Sequence, residues 1–186
     1  MTSYIIVDCE NSGIFDYTLP ADAPGQPRLA DLGLILVDKN LEIEQEQSFL
    51  IKPNGWVFDN NSEAAKVNGL THERLMEEGV PAAEALISYI AAIDGGRVVG
   101  GFNVLFDLKQ LRAEMRHVGL EDRYLKTRYI CAMQGCRQIV DARTAAGKKK
   151  APRLEEACIH FGFETEGLHT GIGGARRALW ILRKLR

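Results

Sequence analysis

Asp8 and Glu10 are the residues around which chemistry could be built. They close the apolar run from Tyr4 to Val7 and are followed by Asn11, Ser12 and Gly13. Side chains alternate faces along a strand, so the two carboxylates project to the same side, at the end of a segment apolar enough for the middle of a sheet. Like charges held so close raise each other's pKa unless a cation stands between them, and Mg²⁺ or Mn²⁺ take oxygen ligands. The pair therefore reads as half a metal site. It also reads as a solvated strand end, because the chain has 25 acidic residues among 186. A further acid at the start of a helix packed beside this strand separates the two readings.

Asp107 has that position. Arg97 to Phe102 reads as a short buried strand, and Asn103 and Asp107 bracket the start of a helix with Leu108, Leu111, Met115 and Val118 on its inner face. An acid in the first turn of a helix, just past the carboxyl edge of a strand, lies where open α/β sheets hold ligands. Asp8, Glu10 and Asp107 can thus converge. His169 stands ahead of the last helical pattern. Alone it suits a cap or a surface, and beside three acids it becomes a candidate catalyst.

The elements that must hold these residues follow in order. Ile14 to Gln26, with Pro20, Pro24 and Pro27 in or beside it, reads as a long loop. Arg28 to Val37 and Leu41 to Lys52 read as a hairpin across Asp38-Lys39-Asn40. Ser62 to Asn68 predicts a short helix stopped by Gly69, and Thr71 caps a second that runs to Glu78. Pro81 opens a third with Ala82, Ala85, Leu86, Tyr89, Ile90 and Ile93 in its apolar stripe, closed by Gly95-Gly96. Tyr129 to Cys131 suits a last strand, followed by a helix through Gln138 and Ile139. Asp141 to Pro152 carries Arg143, Lys148, Lys149 and Lys150 and reads as a mobile basic loop, either a solvated linker or a phosphate-tracking segment. Leu154, Ala157, Cys158 and Phe161 mark a helix, and Ala175, Ala178, Leu179, Leu182 and Leu185 the amphipathic last one. The pattern is α/β, with one antiparallel pair in an otherwise parallel sheet.

Composition narrows the function classes. A length of 186 residues suits one domain, and 46% hydrophobic with 26% charged residues is ordinary for a soluble globular chain. No apolar run reaches membrane-spanning length, and the first residues lack the leader of a secreted protein, so the expected compartment is cytoplasmic. Cys9, Cys131, Cys136 and Cys158 show no zinc spacing, which leaves reduced thiols as the expectation, with Cys9 facing away from the two acids. A net charge of −2 argues against a protein that coats nucleic acid electrostatically. It does not exclude a nuclease whose metals offset its acids. The glycines of 171–174 do not fit a dinucleotide fingerprint, because Arg176 stands where a glycine is needed.

The order Asp8-x-Glu10, then Asn103-x-x-Phe106-Asp107, then His169 resembles the DnaQ-like exonuclease superfamily, the DEDD nucleases with a histidine in the third motif. Val67 to Leu75, Gly79-Val80-Pro81 and Val98 to Asn103 look like that family's connecting segments, so the likeness runs from residue 4 to 186. It implies a ribonuclease-H-like fold, a five-stranded mixed sheet flanked by helices, as one domain over residues 1–186. It further implies 3′–5′ hydrolysis of single-stranded DNA or RNA with two Mg²⁺ or Mn²⁺ ions. Asp8 would bridge both metals, Glu10 and Asp107 would each hold one, and His169 would deprotonate the attacking water. Asn11, Ser12, Gly13 and Ile14, with Asn103 and Phe106, would hold the terminal nucleotide, and Lys148 and Lys149 the strand. The partners implied are 3′ ends of single strands, with no membrane; a homodimer is left open.

One position departs from the family. Five residues after His169 the family has a fourth metal-binding Asp, and this chain has Gly174. Glu164 and Glu166 precede His169 and are poor substitutes. The expectation is an exonuclease impaired at one metal, with an acid at 174 reaching back toward the ion held by Glu10. The rival is a non-catalytic relative that binds nucleic-acid ends or a protein partner. Three glycines in a first turn, Gly171, Gly173 and Gly174, also predict poor order there, since each costs about 0.5–1 kcal/mol against alanine in a helix.

Overall fold

The computed structural model describes residues 3–163 and 169–186. Five strands form one sheet, β1 Tyr4–Asn11, β2 Leu29–Val37, β3 Ile43–Leu50, β4 Val98–Gly101 and β5 Tyr129–Cys131, in the order β3-β2-β1-β4-β5. The helices are α1 Glu63–Asn68, α2 His72–Glu78, α3 Ala82–Asp94, α4 Val104–His117, α5 Ala132–Cys136, α6 Leu154–Phe161 and α7 Gly171–Lys184. The result is a five-stranded mixed sheet flanked by helices, the ribonuclease-H-like arrangement expected.

Local signals account for most boundaries. The Ser62 hydroxyl accepts from the Ala65 N–H at 3.1 Å and Gly69 ends α1 in the left-handed region, where a side chain would be strained. Thr71 caps α2 in the same way. Apolar residues on the two faces of the sheet then seed two layers. On one, Ile5, Val7 and Cys9 pack with Leu86 and Tyr89 of α3 and Leu108 and Leu111 of α4. On the other, Ile6 and Ile35 pack with Cys136, Cys158 and the stripe Ala175, Ala178, Leu179 and Leu182 of α7. All four cysteines are free, and Cys9 faces away from Asp8 and Glu10 as read.

Four expectations need correction. The sheet has two antiparallel pairs, because the single reversed strand β2 has a neighbour on each side, β1 and β3. The helix after β5 ends at Cys136, and residues 137–139 form turns instead of carrying it to Ile139. The basic segment is a paired hairpin turn: Arg143 bridges Lys149, and the Thr144 N–H donates to the Lys148 carbonyl at 2.8 Å. Backbone pairing there needs no apolar periodicity, which is why the sequence pattern misses it.

The fourth correction concerns the glycine-rich turn, which is helical and capped. The Thr170 hydroxyl accepts from the Gly173 N–H at 3.1 Å. Gly171 lies on Gly33 of β2 so closely that a Cβ on either would overlap the other's backbone. The propensity penalty is offset by this cap, worth about 1 kcal/mol, and by packing that only bare backbone permits. That close approach seats α7 across β1 and β2.

Candidate functional site

Asp8 and Glu10 lie on the α7 face of β1, at its carboxyl end. Opposite Glu10 in the β1–β2 ladder stands Asp31, only 2% exposed, and opposite Asp8 stands Gly33. Asp31 Oδ2 accepts from the Gly171 N–H at 2.9 Å and so ties the start of α7 to the sheet, while its buried Oδ1 has no hydrogen-bond partner among the described residues. Asp107 comes from the first turn of α4, past the end of β4. Its Oδ1 accepts from the Cys9 N–H at 3.0 Å. The strand-to-helix corner is made by Asn103 in the left-handed region, at φ 55°, a conformation asparagine tolerates better than most residues. Three carboxylates expected to converge do converge, and Asp31 joins them.

The electrostatics record that crowding. Burial, then the charges of Asp107 and Glu10, pushes the Asp8 carboxyl well above the usual range. Burial and then Asp31 push Glu10 up to about 7, against the opposing pull of Arg177. Asp107, 4% exposed, is raised to about 8, first by burial. Asp31 is raised by burial as well. So many acids share a poorly hydrated corner that Arg177 and the hydrogen bonds compensate their charged forms only in part.

Two residues of α7 modify the corner. A Cβ on Gly174 would overlap the Asp8 carboxylate, so position 174 faces Asp8 and not Glu10 as expected from the helix count. One helical turn on, Arg177 is 4% exposed and its charge acts on both Asp8 and Glu10. Sequence reasoning missed Arg177 and Asp31. A lone acid in the otherwise apolar run of β2, and an arginine inside the apolar stripe of α7, were the available signals.

A cleft of about 490 Å³ opens beside the acids, lined by Glu10, Asn11, Ser12, Gly13 and Ile14, by Val67 and Asn68 of α1, and by Phe106. Ile14 is 86% exposed, and the buried Oδ1 of Asn11 has no partner among the described residues. Asn103 is exposed at its corner and is not part of this lining. Lys148 and Lys149 are not in the lining either; Lys149 borders a separate depression with Gln134, Arg137, Gln138 and Lys150. His169 is exposed just ahead of α7, and among the described residues no hydrogen bond joins it to the acids. Glu164 and Glu166 lie outside the described residues.

Divalent ions fit this donor set in part. Among the described residues no group of three or more acidic, histidine or cysteine side chains is arranged to hold an ion. Mg²⁺ commonly sits on one or two carboxylates, keeps several waters and uses substrate phosphate for the rest, and Asp8 with Glu10 on one face suits that role. Position 174, at the start of α7 against Asp8, is a glycine and offers no ligand.

No family model matches the sequence. No curated protein matches it by sequence either. The fold does match solved structures. Escherichia coli exonuclease I in complex with a dT13 oligonucleotide aligns with a TM-score of 0.81 at 16% identity, over 99% of this chain and 41% of that one. Exonuclease I from Methylocaldum szegediense aligns at 0.79 and 19%, over 98% and 40%. The zinc-bound E. coli exonuclease I complex with single-stranded DNA aligns at 0.77 and 15%, again over 98% and 40%. The chain thus spans about two fifths of the length of the structures it resembles.

Proposed function

We propose that this chain is a 3′–5′ exonuclease of single-stranded nucleic acid, DNA before RNA, with a metal centre weakened at one position. The carrying observation is the convergence of Asp8, Glu10 and Asp107 at the carboxyl edge of the sheet, beside a cleft with room for a terminal nucleotide. A scaffold has no physical need to gather carboxylates whose charged forms burial disfavours, and a hard cation relieves them. The likeness to exonuclease I bound to deoxyoligonucleotides supports DNA as the first substrate to test. In this reading residues 1–186 act as one exonuclease-like unit, in a reducing, cytoplasmic setting.

Asp8 and Glu10 would hold the ion, with Asp107 beside them. When bound, a divalent ion lowers the pKa of an attacking water and offsets charge on the leaving 3′ oxygen. The chain's own contribution is to fix the strand end. Ser12, Gly13 and the Asn11 amide offer polar groups to the terminal nucleotide, and Ile14 and Phe106 offer apolar surface to its sugar or base. His169, exposed on the approach to α7, would be the group that accepts the water's proton.

A second reading is favoured by Gly174 and Arg177. An arginine beside Asp8 and Glu10, with no acid at 174, suits a protein that grips strand ends and does not cut them. One experiment separates the two: 5′-labelled single strands of DNA and RNA, incubated with Mg²⁺, Mn²⁺ or EDTA, beside Asp8→Ala. Stepwise shortening from the 3′ end that needs the metal and Asp8 supports the nuclease. Tight binding with no shortening supports the end-binding protein, and equal shortening by Asp8→Ala removes this site from consideration.

A further inference from the structure

The loop between β1 and β2 is long for a connection between antiparallel neighbours, and it brings aromatic residues to the rim of the cleft. Phe15 packs edge-on against Phe106, with ring centroids 5.6 Å apart, and is itself 4% exposed. Tyr17 lies 6.3 Å beyond Phe15 and is 68% exposed. Between the two rings stands the Lys109 ammonium, 4.5 Å from the Phe15 centroid and 4.2 Å from that of Tyr17. Lys109 follows Phe106 by one turn of α4, so this surface continues directly from the cleft wall. Leu105 at 42% and Leu19 at 45% exposure widen it on the far side.

The charges around it are otherwise committed. Asp16, next to Tyr17, accepts from the Thr18 N–H at 2.8 Å and from its hydroxyl at 2.6 Å. Arg112 pairs with Asp122 at 2.6 Å, and Arg116 with Asp22 and Asp122. Lys109 makes no ion pair among the described residues. An exposed ring, a second ring beneath it and an ammonium with no ion pair among the described residues, near only the exposed Asp16 carboxylate, match what a single strand needs, a face for a base and a cation for a phosphate.

We infer that the surface formed by Tyr17, Phe15 and Lys109 is a second nucleotide subsite, which stacks a base upstream of the 3′-terminal nucleotide on Tyr17 and pairs its phosphate with Lys109. This rests on the reading of the cleft as a strand-end site and adds to it the direction the strand takes, across Phe106 and over the β1–β2 loop. The commitment to a nucleic-acid strand comes from that continuity and from the cation set between two aromatic rings. A purely apolar partner surface has no use for the ammonium.

The test is binding of 5′-fluorescein-labelled dT2, dT3 and dT5 in EDTA, read by anisotropy, for the wild type, Tyr17→Ala, Tyr17→Phe and Lys109→Gln. The wild type is expected to bind dT5 at least about tenfold more tightly than dT2, an increment in keeping with one or two stacked bases. Tyr17→Ala loses most of that gain and leaves dT2 unchanged, and Tyr17→Phe keeps it. Lys109→Gln lowers the slope of log affinity against log salt for dT5 by about 0.7, one phosphate contact on a single strand. A Tyr17→Ala protein that retains the full gain overturns the subsite, as does a wild type with equal affinity for dT2 and dT5. A wild type that holds dT5 through Tyr17 but does not hold dT2 keeps the subsite and removes the cleft reading. Failure to bind any of the three removes both.

Discussion

Asp107→Asn should make the protein more stable at neutral pH while removing a carboxylate from the candidate centre. Burial holds the Asp107 carboxyl at about 8 in the folded chain, against an ordinary 3.8. The folded state therefore binds this proton more tightly than the unfolded state does. Stability contributed by the protonated form is complete below 3.8 and is lost as pH rises to about 8. At about 1.4 kcal/mol per pH unit, one such carboxyl acting alone would cost ~6 kcal/mol by pH 9. Asp8 and Glu10 remain as crowded, raised carboxyls in the variant, so we set the expected gain from Asp107→Asn at about half, ~3 kcal/mol. The amide Oδ1 can still accept from the Cys9 N–H, so the geometry is kept. Urea unfolding in EDTA at several values between pH 4 and 9 measures it: the wild-type midpoint should fall across this range and the variant's much less. Parallel profiles for the two proteins would refute the claim that the cluster stores uncompensated charge.

Other changes test the packing around the centre. Gly174→Asp forces the Asp8 carboxylate aside, so it should lower stability in EDTA by about 1–3 kcal/mol and regain part of that with Mn²⁺; unchanged melting in EDTA would show that Asp8 swings away freely. Where Asp8 does reorient, the added acid should, on the proposed nuclease reading, raise the hydrolysis rate in Mn²⁺ by about tenfold, read on one labelled strand. Gly33→Ala puts a methyl into the backbone of Gly171 and should cost about 3 kcal/mol, seen as a melting point lower by about 6–12 °C. Replacing Lys148, Lys149 and Lys150 by alanine should leave dT2 binding unchanged, because none of them lines the cleft, and flatten the salt dependence for long strands. An unaltered slope would assign the hairpin to plain solvent contact.

Much of the frame was legible because its signals are local. Ser62, Gly69 and Thr71 cap helices through bonds three or four residues long, and the i, i+3, i+4 stripes of α3, α4 and α7 mark their buried faces without reference to the sheet. Asp8, Glu10 and Asp107 were legible because strand alternation and a strand-to-helix corner fix where such acids point. Asp31 and Arg177 were not, since their meaning depends on a cross-strand register and on which side of α7 meets β1. The Gly171–Gly174 turn was misjudged for the same reason. Propensity counts the cost of glycine, and only the packed structure shows the contact with Gly33 that glycine allows. The direction of residue 174 went wrong by one neighbour on β1, a distance that counting residues along a helix does not resolve.

Gly174 and Arg177 together have a stoichiometric consequence. An aspartate at the first position would add one negative charge to the seam between α7 and β1, and an uncharged residue at the second would withdraw one positive charge. This chain is therefore two charges more positive there than such a pairing would be, the charge of a single divalent ion. The guanidinium is delivered with the polypeptide, cannot be chelated and does not dilute away. On the proposed metal-dependent reading, a seam so supplied has the charge for one divalent ion, so a metal titration should saturate at one ion per chain, and saturation at two would contradict it.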